Sequence, residues 1–322
     1  MHGPWVVGAA CALFAMGCLG NIFFVMADEK LFDEDFLRRL QRLGLIAKRI
    51  PTSSAAGGQR RSRRLGDGLE FADHRAYASG DDIRFLDWPY YARMEKLLLR
   101  LFHEHSEGVV TLLLDRSASM GVGQARKFNY ARRTATALAY VAMSSLDQVL
   151  LLPFAQGLDE GLRTGRNAGQ IAHVLDFLER LGLGECTSLS KAVGQYVHRV
   201  SQTGTVLIIS DCLEVEGELS DALAMLRHRR DEVILLHVAD RQESDPPLAG
   251  PVQLADAETG RTVNLSVNQE VLARYGQLWK EFVRGLERTC LSRGAIYVQA
   301  PTDMPFEHLV LQTLQKAGVL QG

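Results

Sequence analysis

Beyond residue 108 the chain alternates between short apolar runs and amphipathic stretches, and this alternation constrains the fold more than any other feature. The apolar runs are rich in Val, Ile and Leu and predict strands at 109–115, 149–154, 205–210, 233–239 and 295–299. The stretches between them predict helices near 125–145, 168–182, 188–200, 218–230, 268–291 and 305–317. This pattern is typical of a mostly parallel sheet that is covered on both faces. The sequence therefore predicts a doubly wound α/β fold, interrupted over 250–266 by a hairpin with its turn at Thr259 and Gly260.

Two of the predicted strands end in an aspartate. Asp115 ends "VVTLLLD" and is followed by Ser117 and Ser119, whereas Asp211 ends "TVLIISD". Ligands of doubly wound sheets bind beyond the carboxyl ends of the strands, where the strand order reverses, so we expect the two aspartates to lie side by side. Their oxygens suit Mg²⁺ or Mn²⁺. We also expect Asp115 in a solvent-facing loop, where Asp115→Ala would remove a metal ligand and spare the fold.

The stretch "DRSAS", residues 115–119, resembles the metal-ion-dependent adhesion site of von Willebrand factor A domains. The match extends to the threonine of "GECTSLSKAV" and to the second strand-end aspartate, and only Ala118 departs from the glycine of many relatives. The resemblance implies that an Asp or Glu of a protein partner completes the coordination of the ion. It also implies that Mg²⁺ or Mn²⁺ is held, directly or through water, by Asp115, Ser117, Ser119, Thr187 and Asp211.

The preceding segment, "GDGLEFADHRAYASGDDIRFLDWPYYAR" at residues 66–93, resembles the signature of the bacterial family called domain of unknown function 58. In that family the signature runs directly into a von Willebrand A domain, and its members usually lie beside MoxR-type AAA+ ATPases. The resemblance implies a partner or adaptor of such an ATPase in the assembly or maturation of protein complexes. Our first interpretation of the signature's charged and aromatic side chains is an ion-paired interface with the A domain, and our second is a partner surface. These side chains are Arg75, Tyr77, Asp81, Asp82, Arg84, Asp87, Trp88 and Arg93.

Three alternatives compete with a metal-dependent binding module. Asp115 could accept a phosphoryl group over Mg²⁺ as an enzyme nucleophile, but Ser117 stands where such an enzyme places its general acid. Basic residues within 38–64 could bind nucleic acid or another anionic surface, but no aromatic residue for base stacking follows Phe36 there. Finally, the serines could simply cap the following helix while Asp115 closes a turn. We expect no catalytic residues and no nucleic-acid partner.

The first third of the chain differs in composition from the rest. The chain has a formal net charge of −2, yet nine basic residues and no acid lie between Phe36 and Gly66. An amphipathic helix is predicted over 31–47, with Asp33 as its cap, followed by an exposed linker. We expect three regions: 1–27 as an anchor or extension, 28–107 as a small helix and strand region with the basic linker, and 108–322 as the A domain.

Residues 4–26 carry no charged side chain, and the nearby basic residues all follow them. A run of this length can span a bilayer, and the charge distribution would leave the remaining chain in the cytoplasm. An extension read from a mis-assigned start codon and a signal peptide are the alternatives. The scattered cysteines beyond residue 28 also favour a reducing compartment. We therefore expect a cytoplasmic protein, anchored to the inner membrane if residues 4–26 span it.

Overall fold

The computed structural model describes residues 13–15, 31–49, 70–79, 81–103, 108–122, 126–165, 167–213, 217–257 and 261–316. The chain divides into two compact units, 53–107 on the one hand and 1–52 together with 108–322 on the other. We call the second of these the α/β unit. A division between residues 107 and 108 is present, and the helix that follows Asp33 groups with the α/β unit and not with residues 53–107.

The described strands and helices follow the predicted alternation closely. The strands are β1 Leu13–Ala15, β2 Glu70–Ala76, β3 Leu98–His103, β4 Val109–Asp115, β5 Gln148–Phe154, β6 Leu162–Arg163, β7 Thr205–Ser210, β8 Glu232–Ala239, β9 Gly250–Asp256, β10 Thr262–Val267 and β11 Ile296–Pro301. The helices are α1 Glu34–Arg49, α2 Trp88–Met94, α3 Arg126–Ser144, α4 Ile171–Arg180, α5 Leu189–Arg199, α6 Glu218–His228, α7 Arg241–Ser244, α8 Gln269–Arg293 and α9 Phe306–Lys316. Of the elements listed beyond residue 108, the two-residue β6 and the four-residue α7 are the ones without a counterpart in the sequence-based prediction.

The α/β unit is built on a six-stranded sheet with the order β11-β8-β7-β4-β5-β6. Its first five strands are parallel, and β6 runs antiparallel to β5. Leu112 and Leu114 pack into one hydrophobic cluster with α3, α4 and α9, whereas Leu113 packs into a second cluster with α5, α6 and α8. The sheet is therefore buried on both faces, which confirms the doubly wound α/β prediction.

Helix α1 packs on the first of these clusters. Asp33 caps it, since its Oδ1 accepts a hydrogen bond of 2.6 Å from the backbone amide of Phe36. Phe36, Leu40 and Leu43 are buried in the cluster, and the Phe36 ring lies 4.8 Å from the ring of Phe306. The amphipathic helix is confirmed, whereas the surface that its apolar face covers could not be predicted from the pattern.

The smaller unit consists of the antiparallel pair β2–β3 and helix α2. Several of the signature charges pair within this unit: Arg75 Nη2 lies 2.7 Å from Asp81 Oδ1, and Arg84 Nη2 lies 2.7 Å from Asp82 Oδ2. Asp87 caps α2 by accepting a hydrogen bond from the amide of Tyr90. The paired charges therefore stabilise turns within residues 66–93 themselves.

The predicted hairpin over 250–266 is confirmed as the antiparallel pair β9–β10, and its predicted turn at residues 259–260 lies outside the described residues. Strand β1 pairs with the other edge of β9, with residue 14 opposite residue 255. The rest of the predicted anchor over 4–26 lies outside the described residues. Among the helices that the structure describes, none is long and apolar enough to cross a membrane.

Candidate functional site

The carboxyl ends of β4 and β7 lie side by side at the centre of the sheet. These strands are parallel neighbours, with Leu114 opposite Ile209. After β4 the chain continues to β5 on one side, and from β7 it continues to β8 and β11 on the other side. The strand order therefore reverses between β4 and β7, where doubly wound sheets bind their ligands. The predicted proximity of Asp115 and Asp211 is correct.

Asp115 is completely buried, which corrects the expectation of a solvent-facing loop. Its Oδ1 accepts a hydrogen bond of 2.8 Å from the amide of Ser117, and its Oδ2 accepts one of 2.6 Å from Ser210 Oγ. Burial, together with the negative charge of Asp211, raises the pKa of Asp115 to about 6. Asp115→Ala would therefore leave two buried donors without their acceptor, so it would not simply spare the fold.

The two serine hydroxyls meet beside Asp115. Ser117 Oγ and Ser119 Oγ form a hydrogen bond of 2.9 Å in which either hydroxyl can donate, and both side chains are buried. Ser117 precedes a short 3-10 helix, Ala118–Gly121, but its side chain makes no capping hydrogen bond to that helix. The capping interpretation of this serine is therefore wrong. Its hydroxyl faces the other serine, and two oxygens are presented together.

Thr187 reaches this edge of the sheet from the loop before α5. Two backbone hydrogen bonds hold the loops together, one of 2.8 Å from the Ala118 amide to the Glu185 carbonyl and one of 2.6 Å from the Gly184 amide to the Arg116 carbonyl. Thr187 Oγ1 is buried, and within the described part of the chain it has no hydrogen-bond partner. A buried polar atom without a partner is costly, and it is a recognised sign of an unseen ion or water.

The structure adds a buried lysine that the sequence pattern did not indicate. Lys127, in the first turn of α3, is 1% exposed, and its Nζ lies 2.6 Å from Asp211 Oδ2 and 2.5 Å from Glu243 Oε1. Burial opposes the charge of Lys127, but the two carboxylates outweigh it and raise the pKa of the ammonium. Burial also raises the pKa of Glu243, against the opposing effect of Lys127. Nothing in "ARKFNYARR" distinguishes this buried lysine from the three arginines around it.

The donor set fits a small, hard cation. Adjacent oxygens around an octahedral ion with bonds of about 2.0–2.1 Å lie about 2.9 Å apart, which is the separation of the two serine hydroxyls. No group of three or more His, Cys, Asp or Glu side chains suited to a metal occurs among the described residues. A cation here would therefore rely on Asp115, the hydroxyls of Ser117, Ser119 and Thr187, and water. Mg²⁺ commonly combines one or two carboxylates with several waters.

Among the basic residues of 38–64, Arg38 and Arg39 contact groups of the protein itself. The Arg39 guanidinium forms an ion pair with Glu307 of α9, with Nη2 2.5 Å from Oε2. Arg38 Nε donates a hydrogen bond to the carbonyl of Glu34 in the same helix. Residues 50–64 of the segment lie outside the described residues. These two arginines support the packing and geometry of α1.

Residues 73–281 match the family described as "Protein of unknown function DUF58". An uncharacterized protein of Mycobacterium tuberculosis (strain ATCC 25618 / H37Rv), Rv1480, is 26% identical over 243 residues, which cover 74% of this chain and 76% of that protein. Its counterpart in Mycobacterium bovis, Mb1516, has the same identity and coverage. The family match spans both compact units, from β2 to α8.

Two solved structures are similar in chain trace. The hypothetical protein BatB of Bacteroides thetaiotaomicron is 16% identical, with a TM-score of 0.40, and the match covers 66% of this chain and 98% of that one. An aerotolerance-related membrane protein of Bacteroides fragilis is 14% identical, with a TM-score of 0.41, and the match covers 66% of this chain and 100% of that one. The fold of the present chain is defined by its own strand order.

Proposed function

This chain belongs to the DUF58 family, and we propose that its α/β unit is a non-enzymatic, metal-dependent module for binding other proteins. The observation that carries the proposal is the pair of hydroxyls 2.9 Å apart beside the buried Asp115. In this proposal Asp115, Ser117 and Ser119 hold Mg²⁺ or Mn²⁺ directly. Thr187 supplies a further oxygen, and Asp211 acts through water.

The residues of the site prepare it for a carboxylate ligand from outside. Ser210 and the amide of Ser117 fix the orientation of Asp115, so its oxygens stay in place without a partner. The cation would supply positive charge and an open coordination position to an Asp or Glu of the partner. Charge-assisted contacts in a partly desolvated site are stronger than neutral ones, so the interaction would be specific and would depend on the metal.

The partner that we propose is a MoxR-type AAA+ ATPase. This part of the proposal is supported by the resemblance of residues 66–93 to the family signature, because members of that family usually lie beside such ATPases. The chain would then act as an adaptor in the assembly or maturation of protein complexes. It would work in the cytoplasm, and it would be tethered to the inner membrane if residues 4–26 span the bilayer, which would require residues 13–15 to leave their pairing with β9.

Calorimetric titration of the full-length chain with Mg²⁺ and with Mn²⁺ tests the metal site. We expect binding of one ion, and we expect the double variant Ser117→Ala/Ser119→Ala to weaken it by at least about tenfold, because both hydroxyl ligands are lost. Ser292→Ala is the matched control, since this exposed serine lies near the end of α8. Equal affinities for the double variant and the wild type would rule out these hydroxyls as ligands.

Capture experiments test the partner. The immobilised chain is incubated with the purified MoxR-type ATPase of the same organism, in Mg²⁺ and in EDTA, and the retained ATPase is quantified. We expect retention in Mg²⁺ and its loss both in EDTA and in the double serine variant. Equal retention in EDTA would show that the ATPase contacts another surface. Leu113→Ala reports loss of fold separately, because this buried residue should cost about 2–5 kcal/mol.

A further inference from the structure

Lys127 holds one of the two site carboxylates. Its Nζ lies 2.6 Å from Asp211 Oδ2, and Asp211 Oδ1 accepts a longer hydrogen bond of 3.3 Å from the amide of Leu213. Asp115 is held by two neutral donors, the Ser117 amide and Ser210 Oγ, whereas Asp211 Oδ2 is held by an ammonium. Thr187 Oγ1, on the same sheet edge, has no hydrogen-bond partner in the described part of the chain. The two sides of the site are prepared differently.

The lysine is itself fixed by a second anchor away from the serines. Glu243 Oε1 accepts from Lys127 Nζ at 2.5 Å, and Glu243 Oε2 accepts a hydrogen bond of 2.9 Å from the amide of Asp240. This completes a capping box, because Asp240 in turn caps α7 through the amide of Gln242. Tyr275 of α8 donates to the carbonyl of Glu243 at 2.5 Å. The ammonium is thus held between β7 and α7 and has little freedom to leave Asp211.

The net charge of the buried groups at this edge is close to the charge that a divalent ion would neutralise. Asp115, Asp211 and Glu243 contribute three negative charges when ionised, and Lys127 contributes one positive charge, which leaves −2. The ammonium cancels part of the field that would otherwise attract a cation. It also bonds directly to one of the two Asp211 oxygens, Oδ2, which makes that oxygen a weaker ligand for a cation.

We propose that Lys127 is a positioning residue that keeps Asp211 from coordinating the ion directly, so that the free site binds Mg²⁺ weakly and the partner's carboxylate is needed for tight binding. The inference rests on the proposed function and adds a form of regulation to it. Binding of the ion and binding of the partner are then linked, and each increases the affinity of the other by the same factor.

The test is the Mg²⁺ affinity of the full-length Lys127→Met variant, measured by calorimetry without partner. Loss of the ammonium frees Asp211 and removes a positive charge, so we expect affinity at least about tenfold above wild type. Glu243→Gln is the matched control. It keeps the contact between Lys127 and Asp211, retains an acceptor for the Asp240 amide, and should bind Mg²⁺ no more tightly than wild type.

The double variant Lys127→Met/Glu243→Gln separates positioning from net charge. It has the wild-type sum of charges but leaves Asp211 without the lysine, so we expect affinity above that of the wild type. It also leaves one buried carboxylate unpaired instead of two, which favours folding if Lys127→Met alone is unstable. Circular dichroism checks the fold of each variant.

The outcomes are distinguishable. Wild-type affinity in a folded Lys127→Met variant, or in the double variant, would overturn the positioning role and leave the metal site standing. If neither the wild type nor any variant binds Mg²⁺ at millimolar concentration, with or without the ATPase, the proposed function itself fails.

Discussion

The two ends of the central sheet both bury charged side chains, and they do so in different ways. At the amino end, Asp231 accepts hydrogen bonds from Arg229 Nε at 2.7 Å and from the amide of Gly204 at 2.9 Å. Arg229 also donates to Tyr196 OH at 2.9 Å and to the carbonyl of Gln202 at 2.6 Å, and its guanidinium lies 4.4 Å from the centre of the Tyr196 ring. This cluster contains one acid and one base, and its donors meet acceptors.

At the carboxyl end, the cluster around Asp115 and Asp211 contains three acids, one lysine and a hydroxyl without a partner in the described residues. The acids outnumber the lysine, and the Thr187 hydroxyl has no hydrogen-bond partner in the described residues. Buried charge alone is therefore poor evidence of function, because structural networks contain it too. An imbalance of charge at a strand-order reversal, next to an unpaired oxygen, is a stronger indication of a missing ligand.

The largest effect is expected at the amino end. Arg229→Met removes one partner of a pair in which the Asp231 side chain is 0% exposed, so we expect a loss of about 3–5 kcal/mol in the free energy of unfolding. Chemical denaturation in EDTA and in Mg²⁺ measures it. Because this cluster is structural, Mg²⁺ should stabilise the variant as much as it stabilises the wild type. A selective loss of the Mg²⁺ effect would break the contrast between the two ends.

At the carboxyl end the contrast is expected to show in the dependence of stability on pH. The pKa of Asp115 is raised to about 6 in the folded protein, above its value of roughly 4 in the unfolded chain. The folded state therefore binds the proton more tightly, so this contribution to stability is present below about pH 4 and is lost as the pH rises through about 6. Without metal, we expect the wild type to lose about 2 kcal/mol relative to Asp115→Asn between pH 4 and pH 7.

Denaturation of both proteins at several pH values, in metal-depleted buffer, provides the measurement. Burial lowers the pKa of His237 to about 4, but both proteins contain this histidine, so its effect cancels in the difference. Parallel curves of stability against pH for the wild type and Asp115→Asn would contradict the prediction. They would show that the negative charge of Asp115 is as well compensated as that of Asp231 at the amino end.

Part of the carboxyl-end site could be predicted from the sequence, whereas the amino-end cluster could not, and these limits have physical causes. The two aspartates and two serines were found because apolar strands define their own ends, and the strand-order reversal follows from the α/β pattern. Lys127 and Glu243 could not be found, since they lie more than 100 residues apart and only tertiary packing brings them together. The burial of Asp115 was missed for a similar reason, because Ser210, which donates to it, lies on a different strand.

The smallest expected effect concerns Thr187, and it has opposite signs with and without metal. Thr187→Val replaces an unsatisfied buried hydroxyl with a methyl group of similar size, so without metal we expect it to stabilise the protein by about 1 kcal/mol. Thr111→Val is the matched control at the other end of the contrast, because its hydroxyl lies 3.2 Å from Tyr196 OH in the amino-end cluster. There the substitution removes a hydrogen bond, and we expect a loss of about 1 kcal/mol in the free energy of unfolding.

Calorimetry should then show weaker Mg²⁺ binding for Thr187→Val and wild-type binding for Thr111→Val. If both variants lose stability equally in EDTA, the Thr187 hydroxyl has a hydrogen-bond partner within the protein. It is then not left free to bind a metal ion.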